Sequence, residues 1–133
     1  RQATIFRIQT TLAAAMRGAR VDGVISIAAA HHGTVDKMKD TTRARSEWQR
    51  MIEGIKPGPK VLVVGFADDA YDGGGGMGGA RAAFAKSRVD SLVIDEPSGF
   101  KGHGAGAEGA FARKVGPCIV AFIEKGAKEA PCN

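Results

Sequence analysis

The residues of this sequence best suited to chemistry are two carboxylates and a histidine that follow two apolar runs. Asp68 and Asp69 come just after the run at 61–66, and His103 comes after the run at 92–94. A carboxylate that accepts a hydrogen bond from one imidazole nitrogen fixes the tautomer and leaves the other nitrogen to act as a base. The pattern therefore predicts general acid–base chemistry, provided that the fold brings the two segments together.

Three further residues are candidate substrate contacts. His32 and Gly33 follow an earlier apolar run, and Tyr71 lies just after the two aspartates. His31 and His32 are adjacent, and adjacent residues of an extended segment point to opposite faces, so at most one of them can face a site. The alternative for Asp68 and its neighbours is a plain structural role, because an aspartate after a strand is often a turn former or a helix cap.

Neither a metal ion nor a cofactor is expected. The sequence has no His-x-x-x-His spacing, so a metal site would have to combine His31 or His32 with His103 and an aspartate. The glycine run at 73–76 suggests a phosphate-binding loop, but it lacks the Gly-Lys-Ser/Thr pattern, and its Gly-x-Gly-x-x-Gly spacing does not directly follow a strand. A doubly wound, flavodoxin-type domain that binds a nucleotide or a phosphate through this run stays open as an alternative.

Apolar spacing predicts an α/β fold. Helical periodicity alternates with short β-branched runs in the order helix, strand, helix, strand, helix, strand, helix. We predict strands at 21–30, 60–66 and 92–94, and helices at 3–17, 34–55, 77–86 and after residue 109. The unbroken apolar run at 61–64 indicates a central strand that is buried on both faces and parallel to the other two. The expected architecture is a three-layer α/β/α sandwich with a mostly parallel sheet.

Two details of this prediction concern loops and breaks. The glycine-rich segment 97–109 predicts an irregular loop, and Gly116-Pro117 predicts a break in the last helix. Because the loops that follow parallel strands meet at one edge of a sheet, His103 and either Asp68 or Asp69 should lie within about 2.6–3.2 Å.

Composition excludes several classes of protein. With 133 residues the chain fits one domain, and its 44% apolar and 25% charged residues are those of a folded globular protein. No apolar run approaches the ~20 residues of a membrane span. The net charge is +5, from 19 basic and 14 acidic residues, but the basic residues form no clustered stripe, so no nucleic-acid partner is expected.

The two cysteines, Cys118 and Cys132, can form one disulfide that closes a loop of about 15 residues. The short segment and the turn-forming Pro131 favour the bond in an exported protein, and a bridge would indicate a secreted or periplasmic location. In a reducing compartment the same residues would be two unpaired thiols.

The order of these elements resembles the last third of the α/β-hydrolase family. Residues 61–72 read VLVVGFADDAYD and residues 92–104 read LVIDEPSGFKGHG. The family places its acidic residue after one late strand and its histidine after the next, often in a Gly-His context. The tetrapeptide at 69–72 is similar to the Asp-Pro-Tyr-Asp variant common there, which favours Asp69, whereas counting from Gly65 favours Asp68.

The resemblance implies a serine-type hydrolase acting on a small ester or a related acyl bond, with His103 as general base and Asp69 orienting it. The family's Gly-x-Ser-x-Gly elbow precedes the helix that corresponds to 3–17, and this sequence has no such motif. We therefore expect the nucleophile at or before Arg1, with the start of that helix facing His103.

Two accounts of the chain as a whole follow from the missing elbow. Residues 1–133 are either a single α/β domain or the C-terminal portion of an α/β-hydrolase domain. The absence of the elbow supports an alternative function, a non-catalytic α/β domain that binds a ligand or a partner through the same loops.

Overall fold

The structure, a computed structural model, describes residues 8–28, 41–72, 77–129 and 132 of the chain. Four helices and three strands alternate along the described residues, in the order expected from the sequence. They are α1 (Ile8–Met16), β1 (Gly23–Ile27), α2 (Thr41–Glu53), β2 (Lys60–Gly65), α3 (Met77–Lys86), β3 (Ser91–Asp95) and α4 (Gly109–Lys125). Short 3₁₀ helices at His103–Ala107 and Ala127–Glu129 flank α4.

The three strands form one parallel sheet with β2 in the middle. In the register, Val24 lies opposite Val61, and Leu62 lies opposite Leu92. The predicted parallel arrangement and the central position of β2 are both confirmed. The chain thus belongs to the α/β class.

Burial of β2 on both faces explains its unbroken apolar sequence. Val61 and Val63 pack on one face with residues of α1, α2 and α3, whereas Leu62 and Val64 pack on the other face with residues of α4. All four side chains are 0% exposed. Helices therefore cover both faces of the sheet, and the loops after β2 and β3 emerge at one edge of it.

The predicted element bounds agree best near the sheet. The helix predicted at 77–86 is α3, and the strand predicted at 60–66 is β2 with one residue fewer. The strand predicted at 21–30 is shorter in the structure, and the one predicted at 92–94 is one residue longer at each end. The starts of the helices predicted at 3–17 and 34–55 lie outside the described residues.

The predicted break at Gly116-Pro117 is wrong, because α4 runs through both residues. Pro117 has no N–H and cannot donate a hydrogen bond to the carbonyl of Arg113. Arg113 and Pro117 are both exposed, so water can replace that bond. Gly116 also favours a continuous helix. A residue before proline is disfavoured in a helix partly because its Cβ clashes with the proline ring, and glycine has no Cβ. Burial of one face of α4 holds the helix together across this point. That face consists of Phe111, Val115, Cys118 and Phe122.

A disulfide joins Cys118 in α4 to Cys132, with the two Cα atoms 5.1 Å apart. This separation is in the usual range for the bond. The bridge that the sequence allows is therefore present in the structure. It ties the segment after α4 back to the middle of that helix.

No helix in the described ranges is long and apolar enough to cross a membrane.

We expect Gly126→Ala to lower the free energy of unfolding by about 1–3 kcal/mol. Gly126 ends α4 with φ 88° and ψ 177°, a backbone region that is open essentially to glycine alone, and a Cβ there would overlap the Asp90 carboxylate. The matched control is Gly109→Ala at the other end of α4, where the nearest atom is the flexible end of Arg113 at 3.3 Å. Urea unfolding should show the loss for Gly126→Ala only, and equal stability of the two variants would contradict the described end of α4.

We expect the disulfide to contribute about 3 kcal/mol to stability through the chain entropy of the unfolded state. Urea unfolding with and without a reductant measures this contribution. The double variant Cys118→Ala/Cys132→Ala is the control, because its free energy of unfolding should not respond to the reductant. A wild-type protein equally stable with and without reductant would argue against the bond.

Candidate active site

Backbone hydrogen bonds join the loops that follow β2 and β3. Gly65 is paired with the end of β3, and its carbonyl accepts a hydrogen bond from the N–H of Glu96 at 2.9 Å. Further along, Ala67 forms an isolated parallel bridge with Lys101, and its carbonyl accepts from the N–H of Gly102 at 2.7 Å. The two loops thus continue side by side beyond the sheet, and this places Asp69 and His103 next to each other.

Three phenylalanine rings anchor the same loops to α4. Phe66 comes from the loop after β2, Phe100 from the loop after β3, and Phe111 from the first turns of α4. The ring of Phe111 meets the other two edge-on, with centroids 5.3 Å from Phe66 and 5.4 Å from Phe100. Edge-to-face contact at this distance is a favoured arrangement of aromatic rings. All three rings are buried, so apolar packing against the core holds both loops in place.

The two adjacent aspartates have different partners. Asp68 has a left-handed backbone conformation with φ 55°, which aspartate tolerates better than most residues. Its side chain is 73% exposed and pairs with Lys101 at 3.2 Å. The side chain of Asp69 is only 2% exposed and turns toward His103. Of the two candidates, the structure brings Asp69 to the histidine.

Asp69 Oδ2 lies 3.0 Å from His103 Nδ1. The predicted contact between His103 and one of the two aspartates is therefore confirmed in its geometry. Because a carboxylate can only accept, Nδ1 carries the hydrogen, and the lone pair of the neutral ring is on Nε2. The imidazole is 40% exposed, so the pair has one buried and one accessible member.

Tyr71 contacts both members of this pair. Its backbone N–H donates to Asp69 Oδ1 at 2.9 Å, and its ring lies against that of His103 with centroids 4.6 Å apart and planes tilted by 52°. The N–H of Asp72 donates to the carbonyl of Asp69 at 3.0 Å, which closes a turn around these residues. Tyr71 is 40% exposed beside the imidazole, a position that is compatible with its expected role as a substrate contact.

The segment that carries His103 is a short 3₁₀ helix rather than the irregular loop predicted over 97–109. Ala105 at its centre is 1% exposed and packs in the apolar cluster beneath α4. Gly106 approaches β1 so closely that a Cβ would overlap Ile27 and touch Phe66 at 3.4 Å. Gly106 thus serves close packing against β1, which periodicity alone does not reveal.

Several predicted site residues lie outside the described residues. These are His31, His32, Gly33, Arg1 and the glycine run at 73–76. The expected approach of the chain start to His103 falls there too. Their roles therefore stay predictions.

Some residues that shape the site escaped the sequence analysis. Lys101 pairs with Asp68, and Phe100 joins the aromatic cluster, yet the sequence analysis assigned a role to neither. The available signal is that Phe100 is a large apolar residue in a segment otherwise rich in glycine. Such an isolated aromatic residue indicates that a loop is packed against the core.

A pocket of about 310 Å³ lies along β3, away from the Asp69–His103 pair. Val93, Val115 and the disulfide line it, and its charged residues are Arg81, Lys114, Asp95 and Glu96, of which Arg81 and Asp95 lie 4.0 Å apart. Among all the described side chains, no group of three histidine, cysteine, aspartate or glutamate residues is placed to hold a metal ion.

Comparison of the chain with family models, curated proteins and solved structures finds no significant match.

We expect Gly106→Ala to disturb His103 and Gly104→Ala to leave it in place. The first change forces a Cβ against Ile27 and should cost about 1–3 kcal/mol, as overpacking does, while displacing the 3₁₀ helix. A Cβ at Gly104 meets nothing within 4 Å. Urea unfolding and the imidazole NMR signals of His103 measure the two effects. Unchanged imidazole signals in Gly106→Ala would show that the close approach to β1 does not position the histidine.

Proposed function

We propose that the chain is part of a serine-type hydrolase, with an α/β-hydrolase-like three-layer sandwich, that cleaves an ester or a related acyl bond. The 3.0 Å contact between Asp69 and His103 carries this proposal. The two residues follow neighbouring parallel strands, and they occur in the chain order, acid before histidine, of the family that the sequence resembles. An accessible histidine oriented by a buried aspartate is the base–orienter pair that acyl transfer requires.

His103 acts as general base and then as general acid. Nε2 accepts the proton of a serine hydroxyl as the oxygen forms a bond to the carbonyl carbon of the substrate. The resulting imidazolium then gives that proton to the leaving alcohol as the ester bond breaks. In the second half-reaction a water molecule replaces the serine as proton donor and nucleophile, which releases the acid and restores the serine.

The surroundings of Asp69 favour this chemistry. The carboxylate is almost fully buried, and each of its oxygens accepts one hydrogen bond, from Tyr71 N–H and from His103 Nδ1. Its charge is therefore poorly screened by water and acts on the imidazolium at short range. Asp68, one residue earlier, is exposed and paired with Lys101, so it is the weaker candidate.

The nucleophile is the serine of an elbow expected at or before Arg1. In the family that the sequence resembles, the elbow leads directly into the helix that corresponds to α1. The reaction needs no cofactor, because proton transfer and acyl transfer are both carried out by side chains. The expected substrate is a small acyl ester.

The pocket along β3 favours a second function, a non-catalytic α/β domain that binds a ligand. It combines apolar walls with charged groups of both signs, Arg81 and Lys114 with Asp95 and Glu96, a mixture of apolar and polar lining that is found in small-molecule sites. This function needs no nucleophile.

In the intact protein, we expect Asp69→Asn to lower kcat/KM for p-nitrophenyl acetate by a factor on the order of 10⁴, as loss of the orienting carboxylate does in a triad. His103→Ala should lower it at least as much. Asp68→Asn is the matched control and should stay within about tenfold of the wild type, because Asp68 pairs with Lys101 at the surface. Initial rates of nitrophenolate release measure all three.

Two checks make the result decisive. Urea unfolding confirms that each variant is folded, and a fluorophosphonate probe with peptide mass mapping locates a reactive serine, which we expect before α1. A wild-type protein that neither labels nor hydrolyses the ester would contradict the hydrolase and favour the binding domain. Equal losses in Asp68→Asn and Asp69→Asn would contradict the assignment of the acid.

A further inference from the structure

We propose that Tyr71 is a positioning residue whose ring holds His103 in the tautomer with Nδ1 protonated, facing Asp69. The consequence for catalysis rests on the proposed function, but the effect on the tautomer does not. The role follows from the unusual placement of Tyr71, which contacts the carboxylate through its backbone and the imidazole through its side chain.

The backbone contact fixes the carboxylate. Asp69 Oδ1 accepts from Tyr71 N–H at 2.9 Å, and the turn is closed by the N–H of Asp72 at 3.0 Å from the Asp69 carbonyl. Rotation of the carboxylate would break the first of these bonds, so Oδ2 stays directed at the histidine. Since this donor is a main-chain group, it survives any side-chain substitution at Tyr71 other than proline.

The ring contact fixes the imidazole. His103 is 40% exposed, so packing on other sides constrains it less than it constrains the buried Asp69. The tyrosine ring lies against the imidazole, with the two ring centroids 4.6 Å apart and the planes tilted by 52°. Without that ring the imidazole has more freedom to rotate, and rotation weakens the hydrogen bond to Oδ2 that selects the tautomer.

The neighbouring charges do not offer another explanation. Lys101 lies two residues before His103, but its ammonium pairs with Asp68 at 3.2 Å. Both side chains are 73% exposed, so their interaction is screened by solvent. Among the described residues, the contacts that orient the ring are therefore those with Asp69 and Tyr71.

The test compares Tyr71→Ala, Tyr71→Leu and Tyr71→Phe by two-bond ¹H–¹⁵N NMR of the imidazoles in the intact protein, with the His103 signals assigned by His103→Gln. At a pH where the ring is neutral, the wild type should show a protonated Nδ1 and an unprotonated Nε2. Tyr71→Phe keeps the aromatic ring and should retain this pattern. Tyr71→Ala and Tyr71→Leu should give averaged nitrogen shifts that report a mixture of tautomers.

The kinetic expectation is a fall in kcat of roughly 10²-fold for Tyr71→Ala, as for a misplaced catalytic group, with KM nearly unchanged and with recovery in Tyr71→Phe. A rise in KM at unchanged kcat would overturn the proposal and make Tyr71 a substrate contact. A wild-type tautomer in both Tyr71→Ala and Tyr71→Leu would overturn it as well. Loss of the tautomer in a protein whose wild type hydrolyses no ester would support the positioning role while contradicting the hydrolase.

Discussion

The complete burial of β2 is the constraint on which the rest of the structure depends. A strand whose side chains are apolar on both faces must be covered on both, and the chain meets this requirement with α1, α2 and α3 on one side and α4 on the other. The strands on either side of β2 must also run parallel to it, since the intervening helices cross from one end of the sheet to the other. Parallel strands end at the same edge. The loops after β2 and β3 thus become neighbours as a consequence of how the core is buried.

The geometry of the candidate site depends on the packing of that core. Phe66 and Phe100 reach down from the two loops and meet on Phe111, so the side chains that orient the loops belong to the same apolar cluster as Leu62 and Val64. Main-chain hydrogen bonds between the two loops then fix the position of one loop relative to the other. Apolar packing thus holds the loops that carry the Asp69–His103 pair, and the hydrogen bond between the two side chains adds the final orientation. Changes in the α4 cluster should accordingly be felt at His103 even though they involve no polar group.

The parts of the structure that could be predicted from the sequence are those that a local pattern determines. The Val/Leu run of β2 and the turn residues around it indicated both the central strand and the edge where Asp69 and His103 meet. The choice between Asp68 and Asp69 depended on a left-handed residue, and the continuity of α4 through Pro117 depended on burial of the opposite face. The sequence offered only partial signals for them: the tetrapeptide at 69–72 favoured Asp69 while counting from Gly65 favoured Asp68, and the apolar face of α4 competed with the helix-breaking proline. The 3₁₀ helix was missed because glycines that permit close packing and glycines that permit flexible loops look the same in a sequence.

The disulfide has a mechanical consequence. It connects Cys132 to the middle of α4, so a pulling force applied at Cys132 enters the helix at Cys118 and bypasses the turns between that residue and Lys125. Those turns carry none of the applied force, so tension at Cys132 cannot peel them from the sheet. The force arrives instead on a side chain that is 5% exposed and packed against the core, where the helix resists displacement as a whole. The covalent bond thus moves the point at which force enters α4 from the end of the helix to its middle.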